Sequence, residues 1–345
     1  MPSNFDFIIN YGSVGTGNAN LTNPQGIDTD GIYLYIADQG NHRIVKWLLR
    51  GGTFVAQAGT TGTSGDGDDE FNSPNDVHLF RNHLFVADSV NDRIKVYTKN
   101  LVFKKSFGTV DNPVSITDDG ENLYVCDNNN DRIVVYDRDL NLNFTFGSNG
   151  SGNNNFNEPK GIYFDKKEKF LYVVDTSNTR VSQFQNTGST LSFVDSLVAG
   201  DSTDSSISGL NDITVKDHYL YLMETARIQV FDTTVFTTRG NAGTSGSGNT
   251  KISAGEHIIH YRDTLIFSDS GNDRISIWNN YKPERAFDTG ESITIFGGLF
   301  QNPVTPIGGK QDRVSVTIGG TTRQALMTNI EEEELNSNYC MTKET

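Results

Sequence analysis

Short apolar runs closed by an acidic residue recur along most of this chain, each followed by a polar turn and a second apolar run. They read Leu34–Ala37 before Asp38 and Leu84–Ala87 before Asp88, then Leu123–Cys126 before Asp127 and Leu171–Val174 before Asp175. Leu220–Met223 before Glu224 and Leu265–Ser268 before Asp269 complete the set. After each turn comes an arginine opening the next apolar run: Arg43, Arg93, Arg132, Arg180, Arg227 and Arg274. Ahead of each unit lies another short strand, opened by a proline in four copies (Pro24, Pro74, Pro113, Pro159) and by Leu210 or Gly255 in the others. The arginine strand ends in an aromatic residue (Trp47, Tyr97, Tyr136, Phe184, Phe231, Trp278), and a fourth strand precedes a Gly-rich connector. Gly, Asn, Asp and Pro clusters bound these runs, and no helical period competes with them. Several short strands per unit at a spacing of roughly 40–50 residues predict an all-β propeller with one blade per repeat, six in all.

The acid and the arginine stand five residues apart in five copies, as Asp38 and Arg43, Asp88 and Arg93, Asp127 and Arg132, Asp175 and Arg180, and Asp269 and Arg274. In the fifth unit Glu224 and Arg227 are closer, through a two-residue deletion. A device repeated in every blade is architectural, whereas a site breaks the symmetry. These pairs are therefore expected to tie each turn together, with a cost of about 3–5 kcal/mol for removing one partner of a buried pair. Asn41, Asn91, Asn130, Asn178 and Asn272 hold one turn position, where a left-handed backbone is expected.

Pro-x-Gly-Ile, Leu-Tyr-Val-Ala-Asp and Asn-x-Arg-Ile together resemble the NHL repeat. The resemblance covers roughly residues 5–298 and implies a six-bladed propeller. It divides the chain into a propeller at 1–298 and a C-terminal extension at 299–345. Two segments compete to complete the last blade: Phe5–Gly12 and Ser292–Gly297. In the extension, Val314–Ile318, Gly319-Gly320 and Thr322–Met327 predict a hairpin, which is too small to stand alone and so must dock, either on the propeller's own edge or, as a docking arm, on a partner subunit. Glu331–Glu334 and the polar end read as an exposed or disordered terminus.

Charge narrows the partners. A formal net charge of −15 and a pI near 4.8 exclude nucleic-acid phosphates and anionic membranes. The first residues lack the pattern of a signal peptide and no stretch spans a bilayer, so a virion or the cytoplasm is the compatible setting. Cys126 and Cys340 supply neither a disulfide framework nor a metal spacing.

Chemistry is expected where the symmetry breaks, just before the first-strand Ile or Val of each blade. The candidates at this channel mouth are Asn75, Asp76, Lys160, Asn211, Asp212, Glu256 and His257. Their oxygens and one imidazole suit a hard divalent cation. Yet the Asn23–Gly26 opening departs from the Glu-Gly-Pro of gluconolactonase-like propellers. Nor do the histidines recur at one repeat position, as a zinc lyase of NHL type implies. The acidic connector Ser64–Glu70 has calcium-type oxygens without the spacing of a calcium loop. The sequence thus predicts a binding scaffold without catalysis, cofactor or metal, engaging a protein partner, a receptor or glycan, or a larger assembly such as a phage virion or tail. A lactonase-type metal hydrolase at the channel mouth is the alternative.

Overall fold

The computed structural model describes residues 5–198, 207–233, 236 and 238–279, and beyond them the backbone of four strands. Residues 1–283 and 284–345 form two compact units. In the first unit, 24 strands make six four-stranded antiparallel sheets. The first blade runs Pro24–Thr29, Tyr33–Asp38, Arg43–Leu48 and Phe54–Ala58 from the centre outwards. The other inner strands are Pro74–Phe80, Pro113–Asp118, Pro159–Asp165, Leu210–Lys216 and Gly255–Tyr261. Each packs against the next, and the sixth packs against the first, closing the ring. The architecture is the six-bladed all-β propeller that the repeats predict.

Apolar residues on both faces of the second and third strands explain the stacking. Six hydrophobic clusters each span one blade interface, as where Ile36, Val45 and Trp47 of the first blade meet Ile266, Ile275 and Ile277 of the sixth. The aromatic residues that end the third strands are all buried. Each such side chain contributes about 1.5–3 kcal/mol through burial.

The N-terminal candidate supplies the missing strand. Phe7–Tyr11 pairs antiparallel with Arg274–Asn279 as the outer strand of the sixth blade. The rival candidate belongs to the second unit: there Ile293–Ile295 pairs with Tyr339–Thr342, which pairs with Thr321–Met327, which pairs with Arg313–Ile318. The hairpin register is Ile318 to Thr321, and Tyr339–Thr342 is a paired strand where an unstructured terminus was expected. Glu331–Glu334 lie outside the described residues. No helix among the described residues is long and apolar enough to cross a membrane.

Candidate functional site

Two faces of the ring must be told apart. Connectors and the turns between second and third strands form one, here the connector face; turns between first and second strands form the other, the hairpin face.

On the connector face each acid–arginine pair joins a larger network. Arg43 Nε donates to Asp38 at 2.7 Å, and the other blades repeat this at 2.6–2.8 Å except for the Glu224–Arg227 contact. The acid's second oxygen accepts a backbone N–H from the preceding connector, as from Thr22 at 2.7 Å and Asn72 at 2.7 Å. The guanidinium reaches carbonyls of that same connector: Gly17 and Asn20 from Arg43, Gly152 and Asn155 from Arg180, Gly248 and Lys251 from Arg274. The recurrent asparagines do not hold the left-handed backbone expected of them. That position falls one residue later, at His42, Asp92, Asp131, Thr179 and Asp273, all with φ of 50–53°. The asparagine instead donates its amide to the acid, as Asn41 does to Asp38 at 2.8 Å. Its left-handed neighbour staples the next blade: Asp273 accepts the Asn23 N–H at 2.8 Å and His42 Nδ1 that of Ser73 at 3.0 Å.

Carbonyls of the acidic connector are taken by a cation the chain itself carries. Lys95 Nζ donates to Gly67 O at 2.8 Å and Glu70 O at 2.7 Å, above the Phe71 ring. Burial, with Arg93 nearby, pushes this ammonium down to about 8.

The channel holds two cavities. A small one of 180 Å³ opens on the connector face and is lined by Asn75, Lys160, Asn211, Asp212, Glu256 and His257, with Gln25, Gly26, Ser115 and other neighbours. Six of the seven predicted mouth residues therefore share one pocket. Asp76 lies beneath it, with its Oδ1 3.3 Å from His257 Nε2. Asp212 and His257 line both cavities and so form the waist between them. At that level the six blades present Gly26, Asp76, Ser115, Gly161, Asp212 and His257. The glycines are sterically required: a Cβ on Gly161 would lie 2.6 Å from the Asp212 Cα.

Burial dominates the electrostatics of the waist. It pushes the Asp212 carboxyl up to about 8, with Glu256 adding to the rise, and pushes His257 down to about 3. Asp76 is raised well above the carboxylate range for the same reason. Both aspartates act as inter-blade staples. Asp76 Oδ2 accepts the Ile116 N–H at 2.7 Å, and Asp212 Oδ2 that of Ile258 at 2.9 Å. A carboxyl whose pKa is raised on folding contributes stability that is complete below about pH 4 and is lost as the pH climbs through about 8. His257, depressed, works in the opposite sense, losing stability as the pH falls from about 6.5 towards 3. Asp212→Asn keeps the acceptor for Ile258 but cannot ionise. Its melting temperature relative to wild type is therefore expected to rise steadily between pH 4 and pH 8. Parallel melting curves across that range would show Asp212 to be unperturbed.

A larger cavity of 590 Å³ opens on the hairpin face, a region outside the sequence prediction. His78 bridges two carboxylates there, with Nε2 2.9 Å from Asp118 and Nδ1 3.5 Å from Asp28. Burial alone would raise Asp118, but His78 and Lys166 outweigh it and hold it at about 2. His78, His218, His257 and His260 all line this cavity, although they hold different repeat positions. Among the described residues, no three His, Cys, Asp or Glu side chains are disposed to hold a metal ion.

Fold and channel together define a six-bladed β-propeller with a polar, waisted channel. Solved structures agree on the fold. Virginiamycin B lyase from Staphylococcus aureus superposes with a TM-score of 0.56 at 14% identity, covering 80% of this chain and 99% of its own. A nidogen/laminin complex gives 0.53 at 19% identity, over 72% and 95%. A streptogramin B lyase gives 0.52 at 12% identity, over 79% and 98%. No protein-family model and no curated protein sequence matches the chain.

Proposed function

We propose that this chain is an NHL-type propeller whose connector face is a rigid, non-catalytic platform for a protein partner within a larger assembly. The observation that supports this most is the locking of the connectors by arginines. Those before the first, second, fourth and sixth blades share a Gly-x-Gly turn whose carbonyls are held by the arginine of the blade that follows. Their tips, including Asn18, Asp69, Asn154 and Asn249, remain exposed. Loops ordered in advance lose little entropy on binding, which is how a flat polar face gains affinity. The channel supports the same reading. Its carboxylates accept backbone N–H groups, and both nitrogens of His78 face carboxylates of the channel wall, which fix the ring in place. One similar structure is a nidogen/laminin complex, a setting of protein–protein binding. The second unit, with residues 304–345, is the docking arm of this reading.

The test is cross-linking of the natively assembled protein, followed by the triple variant Asn18→Arg, Asp69→Arg and Asn154→Arg. Cross-links on the connector face, lost in a variant that melts like wild type, are the expected result. Cross-links confined to the blade edges, or unaltered by the variant, would overturn it. Removing residues 304–345 is expected to abolish assembly and leave a folded monomer.

A further inference from the structure

We infer that the 590 Å³ cavity on the hairpin face is a binding site for a neutral saccharide. Its volume lies inside the range of about 300–1,000 Å³ typical of small-ligand sites, and the waist at Asp212 and His257 forms its floor. Two residues beyond the waist, each inner strand contributes one residue to the wall: Asp28, His78, Thr117, Tyr163, Thr214 and Ile259. This ring combines a carboxylate, an imidazole, hydroxyls and an aliphatic group. Asp28 leaves 21% of its side chain exposed and His78 19%, and Tyr163 and Ile259 are partly exposed as well, so the accessible wall is both polar and apolar. Its polar members are held still. Asp28 Oδ2 accepts the Leu79 N–H at 2.7 Å, His78 Nε2 meets Asp118 at 2.9 Å, and the Tyr163 hydroxyl donates to Val215 O at 3.0 Å. Among the described residues, Asp28 Oδ1 accepts only the Thr29 N–H, at 2.6 Å, and so keeps a lone pair for an incoming hydroxyl. Groups fixed before binding lose little entropy when a ligand arrives. Charge decides the class of ligand. Asp28, Asp118 and Asp165 oppose an anion, while Lys166, Lys167 and Lys216 oppose a cation. Those lysines are already engaged, with Asp118 at 2.7 Å, Glu168 at 3.3 Å and Asp263 at 3.3 Å. A neutral ligand escapes both penalties. A saccharide offers hydroxyls to the Asp28 carboxylate and C–H surface to Tyr163 and Ile259, which is the mixture this ring presents.

The probes are the methyl glycosides of glucose, galactose, mannose, rhamnose and N-acetylglucosamine, with glucosamine and glucose 6-phosphate as charged counterparts. Each is titrated into the full chain by ligand-observed NMR, with wild type, Asp28→Asn, Ile259→Phe and Glu256→Gln. Asp28→Asn alters the acceptor, Ile259→Phe narrows the ring from the neighbouring blade, and Glu256→Gln lies in the small pocket on the other face. At least one neutral glycoside is expected to bind, about tenfold more weakly in Asp28→Asn, in Ile259→Phe or in both, and equally well in Glu256→Gln. Melting curves identify the variants that fold, and Ile259→Phe carries the test where Asp28→Asn does not. No binding of any neutral glycoside, tighter binding of a charged counterpart, or binding unaltered by both channel substitutions would overturn the inference. The platform reading concerns the opposite face, so either can fail without the other.

Discussion

Replacing Arg43 with methionine is expected to cost about 3–5 kcal/mol of stability, the largest loss from any single arginine of the repeat. Arg43 is completely buried. Its Nε donates to Asp38 at 2.7 Å, and its other nitrogens donate to Thr16 O, Gly17 O, Asn20 O, Gln57 and Thr61 at 2.9–3.3 Å. Methionine retains the apolar stem and removes every donor. Asp38, whose carboxyl is already pushed up by burial, then loses its cation and keeps only Thr22 N–H and Asn41 as donors, and three connector carbonyls lose their partners. Arg43→Lys keeps the charge but cannot span the fork, so most of the loss remains. Arg132 is the internal control. Its side chain is 30% exposed, and it holds Asp127 and the single carbonyl of Thr109. Arg132→Met should therefore cost distinctly less. Urea unfolding at a constant m-value compares the three variants directly. Equal losses at Arg43 and Arg132 would mean that the buried network does not set the stability.

The periodic parts of this molecule were legible because they are local. Apolar runs, acid, turn and arginine lie within a dozen residues, so the blade count could be read directly. What was hidden depends on pairing at a distance. Phe5–Gly12 and Ser292–Gly297 carry the same β-strand signal, and only the ring decides which meets Arg274–Asn279. The left-handed turn residue was misplaced by one, because asparagine tolerates that backbone best. In the structure its amide is needed by the acid, so the strain passes to His42 or Asp92. The mouth residues were found because they break the repeat. The larger cavity was not. Four histidines converge on it from different repeat positions, and each inner strand changes register after its opening residue, as between Pro24 and Ile27. A bulge there turns the following side chains out of simple alternation, and the repeat alone does not reveal that.

Removing residues 1–11 is expected to be the most damaging change of all, because it deletes an outer strand that no other segment of the propeller replaces. Phe7–Tyr11 covers the edge of Arg274–Asn279, with Asn279 N–H donating to Asp6 O at 2.8 Å and Ser276 Oγ to Asn10 at 2.7 Å. Phe5 is buried edge-on against Tyr221 in the cluster shared by the fifth and sixth blades. Loss of a buried phenylalanine alone costs about 3–5 kcal/mol. Tyr11 ties the same strand to the first blade, its hydroxyl donating to Leu49 O at 3.1 Å and accepting from Gly51 N–H at 3.0 Å. Without these the ring loses its clasp, Trp278 is uncovered, and an unpaired strand edge invites association. Size-exclusion chromatography should show oligomers or aggregate, and thermal melting a lower, broader transition. A synthetic peptide of residues 1–12 added in trans should restore the wild-type elution, because the blade interface it completes is otherwise intact. A truncated chain that elutes and melts like wild type would show that ring closure lies in the six inner strands and not in this outer one.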